Sequence, residues 1–211
     1  MANIANYDQL QAEIGNWLDR TDLSSEIETF IELAEANFNR VIRAPDMITK
    51  NDSFSIAGQY TTLPTDTLEI IRIVVDLDPV IVLEYLSPED LSQLRAELTG
   101  TGRPHYFTLL GGSSNQLEVL RSPDATYTSS IVYYTRIPAL TDSATSNWLL
   151  TNHPDIYLFG ALVEAEPYLK NDERMPLWIA RLAQALTDLR LQGERELYSG
   201  SSISMRARAL G

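Results

Sequence analysis

Residues 137–174, IPALTDSATSNWLLTNHPDIYLFGALVEAEPYLKNDER, decide how the rest of the chain is organised. A predicted strand ends just before this stretch, and a polar segment follows. Pro154 and Asp155 then predict the start of a long helix, because proline fits the first helical position and an acid favours the positive end of the helix dipole. At this stretch the chain therefore changes from β-structure back to helix.

Helical periodicity dominates the first part of the chain. Asn6 is a predicted N-cap for a first helix, since asparagine accepts a hydrogen bond from the free N–H groups of a first turn. Ser25 and Glu28 have the spacing of a capping box, so a second helix is predicted over residues 25–43, before Pro45. Its apolar positions recur every three or four residues and are Ile27, Phe30, Ile31, Ala34, Phe38, Val41 and Ile42.

In the middle of the chain the period of the apolar residues changes from 3.6 to 2. Strands are predicted at residues 53–56, 60–63, 68–75, 80–85, 106–110, 116–120 and 129–136. Residues 76–79 would form a hairpin turn, and Ser87 followed by Pro88 predicts one short helix. Residues 52–138 are therefore predicted to form a mostly antiparallel β domain.

Two long helices are predicted after Pro154. The second covers residues 173–191, and its apolar positions are Trp178, Leu182, Ala185 and Leu189. The N-terminal helices are expected to pack on this pair, because an amphipathic helix cannot bury its apolar face alone.

These elements predict an α+β fold. A helical bundle of the N- and C-terminal helices would carry an inserted, mostly antiparallel β domain and an extended C-terminal tail. The expected boundaries are residues 1–50 and 141–197 for the helical domain, 51–140 for the β domain and 198–211 for the tail. The tail is expected to dock on a partner, and the alternative is a disordered end without a function.

The tail has an unusual sequence for such an acidic chain. No acid follows Glu196, and after a Ser-Gly-Ser-Ser hinge the apolar residues alternate with serine and arginine. A period of two is typical of a strand, and a strand outside its own domain is expected to join a partner. The candidate partner-binding residues are Ser202, Ile203, Ser204, Met205, Arg206, Ala207, Arg208 and Leu210.

The composition argues against several classes of function. The 29 acids outnumber the 16 lysines and arginines, which gives a net charge of −13, whereas nucleic-acid binding needs a basic surface. The absence of cysteine excludes disulfides and thiolate zinc sites. We expect no signal peptide, because the N-terminus lacks a basic region followed by an apolar run, and no apolar run is long enough to span a membrane.

Signatures of catalysis or ligand binding are weak. Gly111 and Gly112 are a lone pair in a predicted turn and do not form a phosphate-binding loop. His105 and His153 are expected at the surface or at helix ends, because no acid or histidine stands at metal-ligand spacing from them. We therefore predict no metal, no cofactor and no enzymatic activity.

Two features leave alternatives open. Glu13 with Asp19, or Glu164 with Glu166, could supply the acid and base of a glycosidase, although solvated helix faces are the expected role of these acids. Trp148 is expected in a loop. It could anchor that loop within its own domain or be buried against a neighbouring subunit.

Three groups of short motifs, in a characteristic order and spacing, carry a resemblance to a known family. The first group is Asn16-Trp17-Leu18-Asp19-Arg20, Asp22-Leu23, Phe30-Ile31, Leu33-Ala34-Glu35, Asn39-Arg40 and Arg43. The second is Tyr133-Tyr134, Ile137-Pro138-Ala139-Leu140 and Asn147-Trp148-Leu149-Leu150. The third is Pro154-Asp155, Tyr157-Leu158, Gly160-Ala161-Leu162, Glu164-Ala165, Tyr168-Leu169-Lys170, Asp172-Glu173-Arg174 and Trp178. With these motifs the chain resembles the head-to-tail adaptor proteins of tailed bacteriophages, the tail tubular protein A and connector group.

The resemblance implies a structural protein of the virion neck, made in the host cytoplasm. Twelve subunits would form a ring under the portal protein and extend the channel for DNA ejection, so that double-stranded DNA passes without specific binding. The ring would receive a downstream tail or nozzle protein, and the candidate tail residues would bind the portal. Two alternatives remain, namely a peptidoglycan-acting hydrolase of the virion and another tail-completion ring protein.

Overall fold

A computed structural model of the protein describes residues 4–111, 115–170 and 173–198. The helices in these ranges are α1 (Tyr7–Leu18), α2 (Ser24–Val41), α3 (Pro88–Glu97), α4 (Trp148–Asn152), α5 (Pro154–Leu169) and α6 (Met175–Tyr198). The strands are β1 (Ile48–Ile56), β2 (Tyr60–Thr62), β3 (Thr67–Val75), β4 (Ile81–Val82), β5 (Glu84–Tyr85), β6 (Tyr106–Leu110), β7 (Gln116–Leu120) and β8 (Tyr127–Thr135). These elements confirm the predicted α+β fold class. No helix in the described ranges is long and apolar enough to cross a membrane.

The chain divides into two compact units. Met1–Asp46 and Ile137–Gly211 form one, which we call the helical unit, and Met47–Arg136 form the other, which we call the β unit. That each unit folds independently as a domain, with residues 198–211 as a separate tail, stays a prediction.

Helix α5 lies at the centre of the helical unit and contacts α1, α2 and α6. The predicted apolar face of α6 is confirmed, because Trp178, Leu182, Ala185 and Leu189 are all buried. The face of α2 is also buried, except that Val41 at its end is exposed. Each fully buried leucine or isoleucine side chain contributes about 1.5–3 kcal/mol relative to an exposed one, so packing between the helices holds this unit together.

The helices α2 and α5 approach each other closely at Gly160. A Cβ atom on Gly160 would lie 2.4 Å from Cζ of Phe38, whose ring is itself buried against Tyr157. Because the ring is enclosed, it cannot move aside without disturbing its other contacts. Glycine is therefore required here by packing rather than by backbone conformation.

Substituting Gly160→Ala should lower the free energy of unfolding by about 1–3 kcal/mol, the usual cost of overpacking a core. A loss of stability would indicate the clash, because without it alanine would stabilise the helix by about 1 kcal/mol relative to glycine. Denaturant unfolding measures the difference. A double variant that also carries Phe38→Leu should lose less than the sum of the two single changes, and strict additivity would contradict the proposed clash.

The β unit contains two four-stranded sheets. The strand order is β1-β8-β3-β4 in the first sheet and β2-β7-β6-β5 in the second. All pairs are antiparallel except β5 with β6, which are parallel. The two sheets share one apolar cluster, formed by Phe54, Ile56, Leu63, Ile73, Val75, Leu83, Phe107, Leu117, Val119, Ile131 and Tyr133.

Two predictions about helix ends are wrong. Helix α2 begins at Ser24 with Leu23 as its N-cap, and no side chain caps it. Because Ser25 is already inside the helix, its hydroxyl donates to the Glu26 carboxylate instead of forming a capping box with Glu28. The second correction concerns Trp148, which is the first residue of α4 and does not lie in a loop.

Two strand predictions also need correction. β1 begins at Ile48, before the alternating pattern becomes visible in the sequence. The predicted strand at residues 80–85 is two short strands, since β4 pairs with β3 in one sheet and β5 pairs with β6 in the other. Alternation of apolar and polar residues indicates which side chains share a face of a strand. It does not show that the chain passes from one sheet to another.

Candidate functional site

The segment 137–147 is fastened to the helical unit by hydrogen bonds to side chains of α2. The Ile137 N–H donates to Oδ1 of Asn39 at 2.9 Å, and the Leu140 N–H donates to Oε1 of Glu35 at 2.9 Å. In addition, the Tyr7 N–H donates to the Thr145 carbonyl at 2.7 Å. An irregular segment needs such partners, because its backbone groups have no ladder or helix to satisfy them.

Asn147 connects this segment to the helices that follow. Its Nδ2 donates to the Tyr157 hydroxyl at 2.6 Å and to the Pro138 carbonyl at 2.7 Å. Its Oδ1 accepts from the Leu150 N–H at 2.9 Å and so caps α4. Both amide hydrogens and the amide oxygen are therefore used, as a buried asparagine requires.

Glu35 and Tyr157 complete the buried network. The Tyr157 hydroxyl donates to Oε1 of Glu35 at 3.0 Å. Burial raises the pKa of the Glu35 carboxyl, although the hydrogen bonds from the Leu140 N–H and the Tyr157 hydroxyl oppose this shift. Burial, and then the charge of Glu35, raise the pKa of Tyr157, so that its hydroxyl keeps its proton and donates. The arrangement fixes a segment in place, and all three of its side chains, Glu35, Asn147 and Tyr157, are buried.

The structural role of Glu35 was not predicted from the sequence. Glu35 follows Ile31 by four positions and precedes Phe38 by three, so it lies within the apolar face of α2. An acid on an apolar face needs a buried partner. The position of Glu35 on this face was therefore the sign of a buried polar contact in the sequence. Its partners could not be predicted, because they lie about a hundred residues further along the chain.

The raised pKa of Glu35 predicts a pH dependence of stability. A carboxyl whose pKa is higher in the folded state binds its proton more tightly there, so its contribution to stability is lost as the pH rises. Glu35→Gln lacks this titration, so its stability relative to the wild-type protein should increase as the pH rises above the ordinary pKa of a glutamate. Urea unfolding at several pH values measures this, with Glu28→Gln as the matched control, because Glu28 is an exposed acid on the same helix. A difference between Glu35→Gln and wild type that stays constant with pH would contradict the account.

An aromatic cluster joins α1, α5 and α6. The Trp17 ring meets those of Phe159 and Trp178 at centroid distances of 5.9 and 5.3 Å. Indole N–H groups of this cluster bind two acids, since Trp17 donates to Glu13 at 2.9 Å and Trp178 donates to Glu166 at 2.8 Å. Each bond gives one oxygen of the carboxylate a partner, whereas Oε2 of Glu166 is buried without one among the described residues.

For the acid pairs considered for a glycosidase, the expectation of solvated helix faces is therefore wrong in part. Glu166 is only 1% exposed, so it does not lie on a solvated helix face as expected. Asp19 is exposed at the end of α1. In each pair one acid accepts from an indole N–H, which gives it a structural role.

Neither histidine stands in a ligand cluster. His105 is exposed, and His153 lies at the junction of α4 and α5 without a side-chain capping bond. Across the described ranges, no group of three histidine, aspartate or glutamate side chains is placed to hold a metal ion.

Of the two predicted interaction elements, Trp148 and the C-terminal tail, the structure describes only Trp148. Trp148 is half-buried at the start of α4, and its role between subunits stays a prediction. The candidate partner-binding residues Ser202, Ile203, Ser204, Met205, Arg206, Ala207, Arg208 and Leu210 lie outside the described residues.

Comparison with curated proteins gives no match. A protein-family model described as SU10 adaptor protein matches residues 5–206, which is nearly the whole chain. The match spans both units and indicates a structural rather than a catalytic role, as part of a phage virion neck that interacts with portal and tail components. The chain therefore belongs to the SU10 adaptor protein family, a family of bacteriophage head–tail adaptors.

Proposed function

We propose that this protein forms a ring of twelve subunits beneath the portal of a tailed phage, in the manner of the tail tubular protein A and connector group. The ring extends the DNA channel and attaches a downstream tail or nozzle protein. It is made in the host cytoplasm and assembled into the virion neck. The observation that carries the proposal is the family match over residues 5–206.

The helical unit has features that suit lateral contacts in such a ring. Leu177 and Ile179 on α6 are exposed although they flank the buried Trp178, and Leu33 is exposed on α2. Exposed apolar side chains on different faces favour head-to-tail contacts between identical subunits, which close into a ring when the rotation permits. Trp148, half-buried at the start of α4, is a further candidate for this interface.

The C-terminal tail is the proposed attachment to the portal. Its binding residues would be Ser202, Ile203, Ser204, Met205, Arg206, Ala207, Arg208 and Leu210. The alternation of apolar residues with serine and arginine suits addition to a strand of the portal. The arginines would pair with portal acids, each exposed pair contributing about 0–1 kcal/mol and more when desolvated.

Complementation of adaptor-deficient phage particles tests the function. DNA-filled heads that lack the adaptor should gain tails and infectivity when the purified protein and tails are added in that order. Heads that acquire tails equally well without the protein would refute the proposal. A variant that restores tail attachment but not infectivity would show that attaching the tail and letting DNA pass are separate functions of the protein.

DNA should pass through the ring without being held. The net charge of −13 is multiplied in a ring, and acids near the bore repel phosphate rather than release counterions from it. We therefore expect no binding of duplex DNA by the purified protein at physiological salt, as measured by fluorescence anisotropy. Tight binding that weakens steeply with salt would contradict this expectation.

A further inference from the structure

One groove of the β unit gathers most of the exposed large apolar side chains of that unit. Ile71, Val82, Tyr85 and Leu109 line it, and their exposed fractions are 46%, 60%, 54% and 36%. The groove has a volume of about 340 Å³, and its floor includes the buried Leu83 and Phe107. Single exposed apolar residues are ordinary, but four around one concave surface indicate a binding site for a protein segment.

An incompletely paired strand edge lies along the same groove. β3 pairs with β8 from Thr67 to Val75, with irregularities at Leu68 and Ile71, whereas β4 pairs only with Val74 and Val75. The Leu83 N–H extends this contact to the Ile73 carbonyl at 2.9 Å. Within the described residues, no strand continues the ladder beside Ile70, Ile71 and Arg72 on that side. An open edge of this kind can accept an added strand.

We propose that this groove binds residues 199–211 of a second copy of the chain as an added strand. Ile203 and Met205 would face the apolar wall formed by Val82, Tyr85 and Leu109. Strand addition pairs the backbones of the two chains, and alternate side chains enter the groove. This pattern matches the period of two in the tail.

Length and charge favour this occupant. The segment 199–211 has 13 residues, and in extended form it spans about 43 Å, far more than the short open edge requires. Its only charged side chains are Arg206 and Arg208, whereas residues 47–136 contain 11 acids and 6 bases. A tail without acids therefore meets an acidic unit.

The proposal rests on the proposed function in one respect, because the same tail is the proposed portal anchor. The groove would hold the tail of a neighbouring copy before the portal is present, and the portal would then displace it. Free protein would consequently associate weakly through tails. It would also be protected from edge-to-edge aggregation at β3.

The test uses full-length variants and sedimentation velocity. Val82→Lys damages the groove and Ile203→Lys damages the tail, so each variant alone should self-associate at least tenfold more weakly than wild type. In an equimolar mixture, the intact tail of Val82→Lys can bind the intact groove of Ile203→Lys. The mixture should therefore form a 1:1 heterodimer with one tail–groove contact. Val80→Lys is the matched control, since Val80 is equally exposed but does not line the groove.

The outcomes separate this inference from the proposed function. Recovery in the mixture supports the groove as the binding site, provided that circular dichroism melts show all variants folded. A mixture that stays monomeric, or a wild-type protein that is monomeric at several hundred micromolar, overturns the inference. Neither result affects portal attachment, which Val82→Lys should retain because its tail is intact. Loss of attachment by Ile203→Lys alone would still support the portal anchor.

Discussion

Replacing Asn147 with alanine is expected to lower the free energy of unfolding by about 3–5 kcal/mol, a loss that few single substitutions cause. The side chain caps α4, a role that contributes about 1 kcal/mol. It also donates to the Pro138 carbonyl and the Tyr157 hydroxyl. A buried polar group left without its partner costs about 1–3 kcal/mol, so the three losses together account for the expected value.

Two further variants show which part of the side chain matters. Asn6 caps α1 through the same kind of bond, to the Gln9 N–H at 2.9 Å, but has no buried network. Asn6→Ala should therefore cost only about 1 kcal/mol. Asn147→Asp keeps an oxygen for the cap and loses both donors, so it should be nearly as harmful as Asn147→Ala. Equal losses for Asn6→Ala and Asn147→Ala would show that the network contributes nothing beyond the cap.

Deleting the residues after Gly200 should weaken attachment to the portal by a factor of about a hundred or more while leaving the fold intact. Burial of Ile203, Met205 and Leu210 would contribute about 1.5–3 kcal/mol each before the cost of ordering the segment is subtracted. Surface plasmon resonance on immobilised portals measures the loss. Thermal unfolding of the truncated protein provides the check on folding.

Point variants then separate apolar burial from charge. If apolar contact dominates, Ile203→Ala should weaken binding more than Arg206→Ala, and added salt should have little effect. If the arginines dominate, Arg206→Ala should cost more and the affinity of the wild type should fall with salt. Unchanged affinity of the truncated protein would show that the tail is not the anchor.

Local patterns predicted elements whose signals lie within a few residues. The strands at 106–110 and 116–120 have the predicted bounds, and α3 begins at Pro88 with Ser87 as its cap. Proline after a capping serine, and alternation on both sides of a glycine turn, depend only on neighbouring residues. Such elements can be derived from a single sequence.

Features that depend on distant partners could not be predicted in the same way. Nothing near Glu35 in the sequence shows that Tyr157 and the Leu140 N–H bind its carboxylate. Similarly, the division of residues 81–85 between two sheets depends on pairing with β3, which precedes them in the sequence, and with β6, which follows them. Glu166 resembled a solvated acid because the indole that binds it belongs to the next helix.

The size of the purified protein with and without purified portal tests the central claim most directly. Light scattering with mass determination should show a monomer or weakly associated protein alone. Mixing should give a complex that contains one portal and twelve copies of this chain, visible by electron microscopy as a ring on one face of the portal. A protein that never binds the portal, or one that forms a stable closed ring at micromolar concentration without it, would contradict an adaptor that assembles on the portal.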